Sequence, residues 1–258
     1  MSGRLSAALI CAAALAAAGC ATLPRTAAGL RRPDDTQDPW EGFNRRIFAF
    51  NQFLDRILIK PVAEGYVAVF TPPERDALRH VLNNLNEPVI LANCVLQGRL
   101  KDAGVTGRRL IVNSTLGVAG IRDVATTLHL PRQIGDFGQT LWLWGFKPGP
   151  FLILPVLGPS SPRDGIGTGV DVYLDPLRYA ITNDHTADAL SIARRAADGI
   201  DTRARNLRNL DEIKRQAIDY YASFRSLYLQ NRNADLTAFQ PKVAPQAPPA
   251  NFYNDTDQ

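Results

Sequence analysis

From Asp38 onward the apolar positions Phe43, Ile47, Phe50, Leu54, Ile57 and Leu58 recur at steps of 4, 3, 4, 3 and 1. That spacing predicts one stripe of an amphipathic helix. Asn44, Arg45, Asn51, Gln52 and Asp55 fall mostly off the stripe, Phe48 and Phe53 widen it, and Pro61 is expected to end or kink the helix. "TPPERDALRHVLNNL" opens a second helix, with Thr71 and Glu74 in capping-box spacing and Pro72 at the first helical position. A separate helix is expected in "NEPVILANCVLQG", with Pro88 in its first turn and Gly98 past its end. Val105–Gly117 and "DFGQTLWLWGF" predict two further short helices. "GVDVYL", Gly169 to Leu174, is the one modest strand candidate. From Thr186 the apolar positions again step by 3 and 4, through Leu190, Ala193, Ala197, Ile200, Ala204 and Leu207 and then from Ile213 to Leu227. A fresh cap is expected in Asn209–Glu212. The chain thus reads as mainly α, with little or no strand.

The ends set the compartment. "LSAALICAAALAAAGC", Leu5 to Cys20, has the length of a secretory apolar core and is too short to span a bilayer. Small residues ahead of Cys20 resemble the lipobox of bacterial lipoproteins, in which the signal (1–19) is removed and Cys20 receives lipid. Ala21, in place of Asp, points to the outer membrane. Residues 20–37 read as a tether, and the Pro/Ala-rich stretch 234–258 as a disordered tail. Beyond Cys11 in the signal and Cys20, only Cys94 remains, so the exported chain has no disulfide to form. Arg supplies 24 of the 29 basic residues, and the net charge is +4. Arg is the better phosphate ligand of the two.

No catalytic pattern stands out. His80, His129 and His185 lack metal-ligand spacing, and no metal or other cofactor is expected. "GPSSP" departs from a nucleophile elbow at Pro162, and "GIGTG", Gly165 to Gly169, reads as a flexible turn because no buried strand leads into it. The basic residues show no nucleic-acid pattern.

Four blocks together resemble the MlaA/VacJ outer-membrane lipoproteins: Asp38–Asp55, Asn84–Gly98, Arg109–Ala125 and "DFGQTLWLWGFKPGPFLILPVLGPSSPRDGIG" from Asp136 to Gly167. The resemblance runs to about Tyr228, within a helical domain placed at 38–233. It implies a ring of amphipathic helices lying in the membrane plane, in the periplasmic leaflet of the outer membrane and beside trimeric porins. It further implies a channel through which misplaced phospholipids leave the outer leaflet for a periplasmic MlaC-type carrier, preserving lipid asymmetry without catalysis. A lipoprotein that scaffolds porins or other envelope components is the alternative.

Within that frame Leu141–Leu157 holds one charge, Lys147, and is broken by glycines and prolines, so it is no single spanning helix. Phe151, Leu152, Leu154 and Leu157 are expected on the lipid path, facing acyl chains rather than a sealed core. Arg163 is expected at its polar end, meeting a phosphate. Asp38–Asp55 is a candidate moving element, with Phe43 and Asn44 as its gate.

Overall fold

The computed structural model describes residues 38–175 and 184–237. Signal, tether and Cys20 lie outside the described residues, as does the tail from 238. Residues 234–237, expected in that tail, instead close the last helix.

The first 29 helical residues form one rod in three parts: α1 (Glu41–Leu54), a π-turn (Asp55–Ile59) and α2 (Lys60–Val69). Pro61 does not end it. The Lys60 N–H reaches back five residues to Asp55 O, and Pro61 sits in the first turn of α2, where a missing donor costs least. Next comes α3 (Pro72–Leu96), where Thr71 N–H donates to Glu74 Oε2 at 2.8 Å. The break expected at Pro88 is absent; the two predicted helices are one of 25 residues, with Pro88 inside. The pattern then runs through α4 (Leu100–Thr115), ended near Gly117, and the short α5 (Val124–Thr127). α6 (Phe137–Leu143) has a full capping box: Gln139 N–H donates to Asp136 Oδ1 at 2.8 Å and Asp136 N–H to Gln139 Oε1 at 3.1 Å.

β1 (Leu152–Leu154) and β2 (Gly158–Ser160) pair antiparallel, Leu152 against Ser160. α7 (Pro162–Tyr173) absorbs both the predicted turn "GIGTG" and the predicted strand "GVDVYL". Its start is Ser161, whose Oγ accepts from Asp164 N at 3.2 Å, with Pro162 as first helical residue. Glycine at 167 is required by packing: a Cβ there would lie 2.3 Å from Gly138 N, so α6 and α7 cross backbone to backbone. α8 (Asp184–Arg205), α9 (Leu207–Gln216) and α10 (Tyr220–Thr237) complete the fold. The cap expected at Asn209–Glu212 falls inside α9; the actual breaks are at Asn206 and at Ala217, whose backbone is extended.

First and last helices meet. Phe48 of α1 packs on Tyr220, Tyr221 and Phe224 of α10, ring centroids 5.3–5.6 Å apart. Phe151, Ile153 and Tyr221 complete this core cluster.

Beside its apolar clusters the fold buries many polar side chains and leaves many large apolar ones exposed; α3 buries Leu82, Val89, Ile90 and Cys94 together with polar residues. On α1 and the π-turn the inward series is Asn44, Phe48, Asn51 and Asp55, while Phe43, Phe50, Phe53 and Ile57 stand exposed. On α3 the buried set includes Asn84, Glu87 and Asn93; on α4 it is Ala103, Thr106, Arg109 and Asn113, with Leu100, Ile111 and Leu116 outside. Arg109 is the largest fully buried side chain among the described residues, bonded to Glu87, Asp123, Thr126 and the Leu130 carbonyl. Among those residues no helix is long and apolar enough to cross a membrane.

Candidate functional site

The apolar run at 151–157 is organised from α1. Asn44, wholly buried, donates from Nδ2 to the Phe151 carbonyl at 3.0 Å and accepts at Oδ1 from Ile153 N–H at 2.9 Å. One step further along, Asn51 repeats the pattern, donating to the Leu154 carbonyl at 3.0 Å and accepting from Val156 N–H at 2.9 Å. The spacing matches: seven helical residues rise about 10 Å, and three extended residues cover about 10 Å. Two amides thereby give the hairpin the hydrogen bonds that a neighbouring strand would supply. Asn44 is itself fixed by Asp38 (2.8 Å), whose other oxygen accepts from Tyr221 of α10. Burial and the Asp38 charge both hold the Tyr221 phenol above its ordinary range.

The hairpin divides the predicted lipid-path residues. Phe151, expected to face acyl chains, packs in the core at 4% exposure, next to Ile153 at 1%. Its ring lies against Tyr221 and Tyr228, because an inward-pointing position flanked by an Asn44 bond has nowhere else to put it. Leu152 and Leu154 are half-buried, and Leu157 stands out at 67% beside Val156 at 65%. Val156 adopts a left-handed φ of +67°, a strained conformation for a β-branched residue. The Asn51 bond to its N–H holds it there. Phe43 is exposed and Asn44 buried, so the two gate candidates lie in different surroundings.

Arg163 is nearly buried and pairs with Asp164 (3.0 Å), while its Nη1 has no acceptor among the described residues. Asp164 is the hub of this corner, accepting also from Tyr228 (3.1 Å) and Arg232 (2.7 Å); Arg232 reaches on to Asp136 at 2.6 Å. Burial works to raise the Asp164 carboxyl, but Arg232 and Arg163 outweigh it and hold it below the usual range. This corner ties α6, α7 and α10 together. Sequence reasoning missed Arg232 and Tyr228, whose only signal is their place on α10.

Between α1, the π-turn, the hairpin and the last three helices lies an open cleft of about 560 Å³. Its lining includes the apolar Phe48, Ile153, Val156 and Phe224 and the cationic Arg56, Lys60, Arg203 and Lys214. No cluster able to hold a metal ion occurs among the described residues.

Asp171 on α7 carries an acid-sensitive charge. It accepts from Asn93 Nδ2 at 2.8 Å and Phe137 N–H at 3.1 Å, but burial, helped by the Asp136 charge, pushes its carboxyl up to about 6. A carboxyl raised in the folded state adds stability that is complete below its unfolded value near 4 and lost as pH rises through 6. Lowering the pH from 7.5 to 5 should therefore stabilise the protein by about 1 kcal/mol. Asp171→Asn should flatten that dependence, and thermal melts at the two pH values check it.

The MlaA lipoprotein family model matches residues 36–235. A Haemophilus influenzae protein named "Intermembrane phospholipid transport system lipoprotein MlaA" is 33% identical over 84% of this chain and 85% of its own. Its Escherichia coli namesake is 32% identical over 82% of each chain. A solved structure described as "Structural basis for maintenance of bacterial outer membrane lipid asymmetry" superposes with a TM-score of 0.68 at 31% identity, covering 77% of this chain and 98% of that one. With nearly the whole described region matched in sequence and in fold, the chain belongs to the MlaA lipoprotein family.

Proposed function

We propose that this protein is an outer-membrane lipoprotein that removes mislocalised phospholipids from the outer leaflet and passes them toward the inner membrane, maintaining lipid asymmetry. The observation that carries this reading is the inverted amphipathicity: Phe43, Phe50, Phe53, Ile57, Ile111 and Leu116 face outward while Asn44, Glu87, Asn93 and Arg109 face inward. Such a surface is at home in acyl chains, and no described helix is long and apolar enough to cross. Backbone of irregular form at 144–151 and 155–157 is tolerated at membrane depth only beside protein or a hydrated path. The family membership supports the same function.

The finer reading follows from that setting. Cys20, lipidated as the mature N-terminus, anchors the protein on the periplasmic face; the intact mass of the mature N-terminus checks this. Trimeric porins sit against the exposed belt, and a periplasmic MlaC-type carrier receives the lipid. Leu152, Leu154 and Leu157 border the lipid path, Arg163 stands at its polar end, and α1 with its hairpin controls access. The chain acts by transfer and carries out no catalysis. Lipid co-purifying with protein taken gently from membranes tests the function: intact phospholipid is expected by mass spectrometry. Bound lysophospholipid with free fatty acid would instead mark an enzyme, and protein free of lipid and soluble without detergent a scaffold.

A further inference from the structure

The cleft beside the π-turn holds more cationic donors than its carboxylates use. Arg203 is fixed by Asp55, with Nε 2.8 Å from Oδ1 and Nη2 3.1 Å from Oδ2, and lies 3.6 Å from Asp211. Its side chain is nine-tenths buried, yet Nη1 has no acceptor among the described residues. Lys60 is answered by Asp211 at 2.8 Å and Arg215 by Glu212. Among the described residues Arg56 has no carboxylate within ion-pair distance, and neither has Lys214, which bonds Gln52 Oε1 at 3.2 Å and lies 5.8 Å from the Tyr220 ring. A buried guanidinium N–H left without an acceptor is costly. Two further cations at the rim make the same place attractive to an oxyanion.

The rest of the lining is of another kind. Phe48, Ile153, Val156, Tyr220 and Phe224 are its apolar residues, with Val156 and Gly158 contributed by the hairpin. A bare anion gains nothing from these apolar residues, whereas a phosphate ester on a hydrocarbon gains from both kinds of lining. The volume suits a headgroup with the start of its chains rather than a whole lipid.

We propose that this cleft is a binding subsite for the phosphodiester of a phospholipid, with Arg56 and Lys214 at the rim, Arg203 at depth, and the first part of the chains along Phe48, Val156 and Phe224. The inference rests on the reading of the protein as a phospholipid transporter and adds to it the place where the headgroup pauses. Any lipid sharing the phosphodiester fits, and the uncompensated positive charge favours anionic headgroups over zwitterionic ones.

The test uses full-length protein in detergent, exposed to vesicles of equal parts phosphatidylglycerol and phosphatidylethanolamine, with retained lipid measured by native mass spectrometry. The double variant Arg56→Gln, Lys214→Gln alters two exposed side chains outside any described carboxylate pair, so its melting temperature should match that of the wild type. Retained phospholipid should fall about tenfold or more, from loss of two basic contacts. The charge-preserving pair Arg56→Lys, Lys214→Arg should keep it. Equal retention by the Gln variant and wild type would overturn the subsite while leaving the transport function standing. Wild-type protein holding no phospholipid at all would overturn both. In a second arm inorganic phosphate is titrated into delipidated protein, and weak binding is expected. Phosphate binding as tight as that of lipid, and lost in the Gln variant, would reassign the cleft to the free ion.

Discussion

Arg109→Met should remove most of the folded protein. Arg109 is 1% exposed and places Nε 3.0 Å from Glu87 Oε1 and Nη2 3.1 Å from both Asp123 oxygens. Methionine fills comparable space but leaves the buried Glu87 and the half-buried Asp123 without their cation. Glu87 is already strained electrostatically: burial pushes its carboxyl up in spite of Arg109, and its Oε2 has no partner among the described residues. Burial also works to raise the Asp123 carboxyl, but bonds from Thr126, Asn113 and Arg109 bring it down to about 2. Removing one partner of such a network costs about 3–5 kcal/mol, a large share of the ~5–15 kcal/mol that holds a domain folded. Because the Asp123 carboxyl is depressed, its stabilisation is present above pH 4 and lost as pH falls through about 2. Adding Glu87→Gln and Asp123→Asn to Arg109→Met should restore part of the loss, since neutral groups are less costly to bury than unpaired charges. Urea midpoints in detergent measure all three steps. An Arg109→Met protein as abundant and as stable as wild type would show that the network is dispensable.

Asn44→Asp is the smallest change with a comparable effect. The carboxylate keeps the acceptor for Ile153 N–H but loses both donors, to Asp38 Oδ1 and to the Phe151 carbonyl. It also sets a second buried negative charge against Asp38. One of the two acids must then hold a proton at neutral pH. The expected loss is about 3 kcal/mol or more; Asn44→Ala, which only strands the partners, should lose about 1–3 kcal/mol. If α1 and the hairpin control access to the lipid path, the surviving Asn44→Ala protein should leave the outer membrane permeable while remaining present on immunoblot. Asn51→Ala, at a half-buried position, should do the same with less loss of protein. Normal permeability with normal abundance for both variants would leave the two amides a purely structural part.

Periodicity revealed the helices and left open which solvent they face. The stripe Phe43–Leu58 was legible from its steps, but a 3.6-residue period marks only two unlike faces; assigning the apolar one to a core presumes water outside. The counter-signal was present in the sequence as Asn44 and Asn51, seven apart beside the stripe, where a soluble helix has little use for a repeated amide. The capping boxes at Thr71 and Asp136 and the positive φ of Gly98 follow from local chemistry, which is why sequence alone reaches them. Pro88 misled because only neighbouring helices decide whether a proline inside a helix is tolerated. α7 was hidden by its glycines, which read as a turn until Gly138 is seen lying against Gly167. Its start signal, Ser161-Pro162 followed by Asp164, was there to be read. Of the lipid-path residues, the run's apolar character was legible; the alternation that buries Phe151 and Ile153 needed a hairpin whose pairing depends on α1, more than 100 residues earlier.

The π-turn at Asp55–Ile59 also sets the register between two half-helices. A π-turn holds one residue more than the i→i−4 pattern of the α-helix on either side. Here the halves are anchored separately, α1 by Asn44 and Asn51 on the hairpin and α2 through Tyr66 on Asp201 of α8. With both halves held, the extra residue of the turn is kept between them. Deleting one residue from 55–59 would restore the ordinary helical register without turning either half, but would bring the Pro61 ring against the carbonyl four places back. A relative one residue shorter at 55–59 should therefore carry an unbroken α-helix there, with both halves held as they are here.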